Sequence, residues 1–131
     1  MKRIETIGEL RLPPGKFWFL GSPYTLYHAG TEVAYEYIKD ISASLYEDGI
    51  AHYCPVVPSH EWSIISGLDP LDLQVWLPIN QPWMDLAHGL CVVRMRGWAD
   101  SVGLKQEIEW FESTGRPVVS FSPDMIMPEE V

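Results

Sequence analysis

Hydrophobic residues along the chain fall into short continuous runs separated by one clearly periodic stretch and one irregular one. Phe17-Trp18-Phe19-Leu20 reads as a first buried strand, stopped by the turn-forming Gly21-Ser22-Pro23-Tyr24. From Thr31 to Asp48, Val33, Tyr37, Ile38, Ile41 and Leu45 recur at helical spacing, and Gly49 is placed to end the helix. Ile50 to Val57 reads as a second strand, cut off by Pro58. Residues 58–82 hold Trp62, Trp76 and several prolines with no sustained period. They read as a long loop with one or two helical turns, covering a site or meeting another subunit. A short helix is predicted over Pro82 to His88, and a third strand over Leu90 to Met95. After the turn Gly97 to Ser101, Leu104, Ile108 and Phe111 mark a helix that Gly115 stops. Pro117 to Phe121 is the last strand. Residues 1–15 read as an N-terminal arm outside the core, and 122–131 as a solvated acidic tail.

Continuous apolar strands alternating with helices predict an α/β domain over 1–131: a parallel sheet of four or five strands with helices on both faces, in three layers. Ligands of such sheets bind beyond the carboxyl ends of the strands. The turns after the first and third strands lie there.

The 131 residues carry a net charge of −9 and are 47% hydrophobic. This excludes low-hydrophobicity disorder and argues against binding long nucleic acid, which needs a basic surface. A single nucleoside or nucleotide needs only a local pocket. Cys54 and Cys91 lie in apolar strands and read as buried free thiols of a reducing, cytoplasmic setting. No Cys/His spacing suggests a metal, nothing implies a cofactor, no signal peptide is visible, and no apolar run is long enough to span a membrane.

Ser101 is suited to cap the helix that follows, and Gly103 leaves the first helical turn open to a ligand. Glu107 lies about one and a half turns in. Helical side chains lean toward the N-terminus, which aims its carboxylate at the strand ends, where the helix dipole favours the ionised form. Its face alone does not single it out: Glu107 and Glu112 each lie roughly 70° from the apolar stripe. Position along the axis separates them, since Glu112 falls at the far end. On spacing alone, a solvated or capping carboxylate is the commoner explanation of Glu107, because most helical glutamates are exposed.

The stretch Ser101-Val102-Gly103-Leu104-Lys105-Gln106-Glu107, followed by Gly115-Arg116-Pro117-Val118, resembles the S-x-G-x-x-x-E and G-[KR]-P-V pattern of the nucleoside 2-deoxyribosyltransferase-like superfamily. Phe19-Leu20-Gly21-Ser22-Pro23-Tyr24-Thr25 is similar to that group's opening strand and S-P-Y turn, and Trp83-Met84-Asp85 also fits. The resemblance points to its branch of unknown function, DUF1937. It implies a Rossmann/flavodoxin-like sheet and a homo-oligomer. The implied activity is an N-glycosidic bond hydrolase or transferase acting on a deoxynucleoside or deoxynucleotide. Glu107 is then the nucleophile at the anomeric carbon, Tyr24 orients it, and Asp85 binds or protonates the base. Ser22, Pro23, Ser101 and Gly103 line the sugar or phosphate side. Trp98 is available to stack on the base, and His60 faces the same edge. The implied pattern departs here in two ways: the classical transferases often carry aspartate where Ser101 stands, and the first turn offers no basic residue for a phosphate, with His28 a weak substitute. The competing readings are a nucleotide-binding module that cleaves nothing, and an interaction protein using the tryptophan-rich middle segment.

Overall fold

The three central strands of the computed structural model, which describes residues 1–131, present alternate side chains to two separate cores. Trp18, Leu20, Cys91, Val93, Val119 and Phe121 face one cluster. There they meet Ile38, Ile41 and Leu45 of helix α1 (Thr31–Glu47). Phe19, Leu90, Val92 and Val118 face the other, against Leu104 and Phe111 of helix α4 (Val102–Ser113) and Met84 of helix α3 (Leu73–Leu86). Both faces are therefore covered, which is why the strands carry no polar alternation.

The sheet has five strands, all parallel: β1 (Lys2–Arg3), β2 (Trp18–Gly21), β3 (His52–Tyr53), β4 (Gly89–Val93) and β5 (Val118–Phe121), in the order β1-β5-β4-β2-β3. This is the α/β, Rossmann/flavodoxin-like arrangement the alternation predicts. Strand β2 pairs with β3 on one side and β4 on the other, with Leu20 opposite Cys91. The chain leaves β2 for β3 and then crosses back past β2 to reach β4. The strand order thus reverses at β2/β4, the crevice where open α/β sheets hold ligands.

Both helix-end expectations are met. Gly49 adopts φ 76° directly after α1, and Ser101 Oγ accepts a hydrogen bond from Leu104 N at the start of α4. Other expectations are corrected. The second strand covers only His52–Tyr53, because Pro55 caps helix α2 (Val56–Ser66) and Pro58 sits in its first turn, where proline's missing N–H costs nothing. The supposed loop over 58–82 is largely α2 and α3, and the short helix over 82–88 is the end of α3. In α3 the apolar residues do not mark the buried face, because Leu73, Leu77, Trp83 and Leu86 are exposed while Trp76 and Met84 are buried.

Residues 1–15 are not a free arm. Lys2 and Arg3 pair with Val119 and Ser120, Ile4 and Leu10 join the first core, and Leu10 O accepts a hydrogen bond from Trp18 Nε1 at 2.8 Å. The tail is not a solvated end. Pro123 is buried, and Glu130 accepts hydrogen bonds from the Tyr27 hydroxyl and Arg96 N. Cys54 and Cys91 are buried and free, and burial pushes the Cys54 thiol up to about 12. No helix is long and apolar enough to cross a membrane.

Candidate functional site

A cleft of about 550 Å³ opens at the reversal point, between the end of β2, the first turns of α4, and helices α2 and α3. Such a volume suits a small organic ligand. Four elements supply its polar groups. Ser22 and Tyr24 come from the turn after β2, Ser59 from α2, Asn80 and Gln81 from α3, and Gln106 and Glu107 from α4. Trp76, Met84 and Trp110 supply apolar wall. Arg116 fixes the width on one side: its guanidinium lies over Trp110 and donates to Met84 O and Ala87 O, tying the end of α3 to α4.

Glu107 is partly buried, and its carboxyl reaches the end of β2: Oε1 lies 3.6 Å from where a Cβ on Gly21 would stand. The backward lean of helical side chains aims it there. It faces neither cation nor hydrogen-bond donor, and burial pushes its pKa up to about 8. The helix dipole does not keep it ionised, as the sequence reading expected; loss of water outweighs it. Glu109 and Glu112 on the same helix are exposed.

Ser22 Oγ is buried and has no hydrogen-bond partner, although its residue lines the cleft. Orphaned buried hydroxyls are uncommon, and one beside a cleft is what a ligand's polar atom would satisfy. Ser101 and Gly103 both line the cleft, and Gly103 faces open space. Pro23 lies in a smaller recess of about 120 Å³ that shares Tyr24 and Ser101 with the cleft and is also lined by Arg96 and Asp100.

Tyr24 does not orient Glu107. Its hydroxyl lies 2.6 Å from His60 Nδ1, and His60 Nε2 lies 2.7 Å from Glu32 Oε2. His60 is buried, stacked on Tyr35, and stands behind Tyr24 instead of lining the cleft. Asp85 is exposed, accepts a hydrogen bond from Gln81, and does not line the cleft of this chain. Trp98 packs against the second core and is also outside it. His52 is structural: buried, it contacts Ser42 Oγ and Ile50 O.

Sequence reasoning missed Glu32, Trp76, Asn80, Gln81, Gln106 and Trp110. Gln106 and Trp110 were findable, since they flank Glu107 at helical spacing. Trp76, Asn80 and Gln81 lie on α3, whose internal Pro78 and Pro82 read as helix breakers. Glu32 carried no signal short of the fold.

No curated protein matches the chain. The family model described as a domain of unknown function, DUF1937, matches residues 16–123, which spans every site element from β2 to β5. The chain therefore belongs to the DUF1937 family.

Proposed function

We propose that this protein cleaves or transfers the N-glycosidic bond of a deoxynucleoside or deoxynucleotide, with Glu107 as the nucleophile. The observation that carries this reading is a carboxyl without protein partners, set in a cleft at the strand-order reversal whose lining also includes a serine with an orphaned hydroxyl. A cleft with aromatic walls and amide-bearing side chains suits a flat base with polar edges. In the reaction, a Glu107 oxygen bonds to the anomeric carbon as the bond to the base nitrogen breaks. The departing base takes up a proton. Water or a second base then displaces Glu107. The net charge of −9 favours a small ligand over long nucleic acid.

A pKa of about 8 leaves roughly one Glu107 in ten ionised at pH 7. The rate of base release is therefore expected to climb with pH, reaching half its maximum near pH 8 and levelling off about one pH unit higher. The direct test is incubation with a panel of nucleosides and nucleotides, with free base separated by chromatography. Glu107→Ala is expected to lose release by on the order of 10³-fold or more. Full turnover in that variant rules out the nucleophile.

One observation favours a second reading, a binding module that leaves its ligand intact: burial keeps Glu107 largely protonated at neutrality, whereas a nucleophile acts ionised. Calorimetry with recovery of unchanged ligand supports this reading, and release of base overturns it.

We also propose that the chain forms a homo-oligomer through the exposed apolar side chains of α2 and α3 and, on the strength of its free buried thiols, that it works in the cytoplasm.

A further inference from the structure

Tyr24 lines the cleft, and its hydroxyl is the end of a chain of short contacts that leads away from it. The hydroxyl lies 2.6 Å from His60 Nδ1, and His60 Nε2 lies 2.7 Å from Glu32 Oε2. Glu32 stands at the start of α1 with its side chain 67% exposed, whereas the His60 side chain is only 7% exposed. The Tyr35 ring stacks on the imidazole at 4.0 Å and 15°, which fixes its plane. Tyr35 in turn donates to Glu61. Two segments, the turn after β2 and helix α1, converge on this imidazole of α2, and each ring nitrogen has a single partner.

The partners determine the tautomer. A carboxylate only accepts hydrogen bonds, so His60 Nε2 carries the hydrogen that points at Glu32. His60 Nδ1 then presents a lone pair, and the Tyr24 O–H donates to it. The reverse tautomer would set the Nε2 lone pair against the Glu32 oxygen at 2.7 Å. With its proton turned toward His60, the Tyr24 oxygen is left with lone pairs that can accept a proton.

We propose that Glu32, His60 and Tyr24 form a proton relay that makes the Tyr24 oxygen the proton acceptor of the cleft, serving the step in which water resolves the glycosyl–Glu107 ester. This rests on the N-glycosidase reading above. The water oxygen bonds to the anomeric carbon, and the bond from that carbon to the Glu107 oxygen breaks, its electron pair returning to the carboxylate. The proton lost by the water passes to the Tyr24 oxygen as the Tyr24 proton passes to His60 Nδ1. The Glu32 carboxylate stabilises the imidazolium that forms. Tyr24 is the catalytic residue of this step; His60 and Glu32 are positioning residues that act through it. The order carboxylate, imidazole, hydroxyl follows the logic of a hydrolase triad, with a phenol as the terminal group and water as the nucleophile.

The test separates the two chemical steps. With a purine 2′-deoxynucleoside, Tyr24→Phe and His60→Asn are expected to keep the first rapid release of about one base per subunit. Their steady-state turnover is expected to fall about a hundredfold. A deoxyribosyl adduct should then accumulate, visible in the intact protein mass and absent from Glu107→Ala. If the burst and the steady state fall together, or neither falls, the relay is overturned. If the wild-type protein releases no base from any nucleoside, it is the glycosidase reading that fails, and the relay is judged on ¹⁵N spectra of the histidines. There the wild type should show His60 in the Nε2–H form, and Glu32→Ala should redistribute its tautomers. An Nδ1–H form in the wild type, or no response to Glu32→Ala, overturns the relay.

Discussion

Gly21 ends strand β2 directly beneath Glu107: a Cβ at Gly21 would lie 3.6 Å from Glu107 Oε1 and 2.7 Å from Leu104 Cδ1. The carboxyl itself would tolerate the added methyl, since 3.6 Å is ordinary contact. Leu104 would not, and Leu90 Cδ1 at 3.2 Å leaves little room to yield. Gly21→Ala is therefore expected to push the first turn of α4 outward, costing about 1–3 kcal/mol in urea unfolding. Base release, or ligand affinity in calorimetry, should fall with it because Glu107 lies in the next turn of the same helix. An unchanged urea midpoint would show that α4 is not seated against β2 as closely as these distances require.

Gly89 poses a harder constraint. A Cβ there would stand 2.3 Å from Pro117 O and 2.9 Å from Trp18 Cζ3. Pro117 O is backbone, and it already accepts the hydrogen bond of Leu90 N at 2.9 Å, so it cannot swing aside. Gly89→Ala must part β4 from β5 at the centre of the sheet. The expected loss is above about 3 kcal/mol, seen as a large drop in melting temperature or as failure to recover folded protein.

The raised pKa of Glu107 has a consequence for stability that requires no substrate. Between its ordinary value of 4.5 and about 8, the folded state holds a proton that the unfolded chain has released. Folding stability therefore falls as pH rises through this window and levels off above about 8. Glu107→Gln removes the dependence while keeping the shape. The two proteins are expected to melt together near pH 4.5, with the glutamine variant ahead by a few kcal/mol at pH 9. Parallel melting curves with a constant offset across that range would mean the carboxyl is solvated in the folded protein.

The sequence carried the sheet well because a strand covered on both faces must be apolar throughout. Phe17–Leu20, Leu90–Val93 and Val118–Phe121 have no other reading at their length. It carried Ser101 and Glu107 because cap chemistry and side-chain lean are local properties of one helix. It lost α2 and α3 for two physical reasons. Prolines that usually end helices sit at Pro58 in a first turn and at Pro78 and Pro82 inside α3. α3 also exposes apolar residues, so its hydrophobic positions do not mark its buried face. The Tyr24–His60 contact, 36 residues apart in sequence, follows only from the packing of α2 beside the β2 turn. Asp85 shows the opposite failure: a motif position that fits by spacing lies outside the cleft once the helix is drawn.

Those exposed residues lead to the last prediction. Of the fifteen large hydrophobic side chains left exposed, ten lie between Trp62 and Leu86; Leu71, Leu73 and Leu77 line the cleft, and the other seven include Ile65 at 81% and Leu86 at 77%. Scattered exposed leucines need no explanation, but a concentration in one segment of two helices marks a surface that meets another apolar surface. A second copy of this chain supplies such a surface by symmetry. Sedimentation velocity of the wild-type protein is therefore expected to give a multiple of 15.0 kDa. Ile65→Glu should shift it to the single-chain mass, because a charge in the centre of an apolar interface is left without solvent or partner. Ile65 is already in water in the isolated chain, so the substitution should cost the fold no more than about 0.5 kcal/mol. Circular dichroism of the variant should then overlay that of the wild type, separating a lost interface from a lost fold. A wild-type protein that sediments at 15.0 kDa across the micromolar range would overturn the oligomer and leave this face to a different occupant.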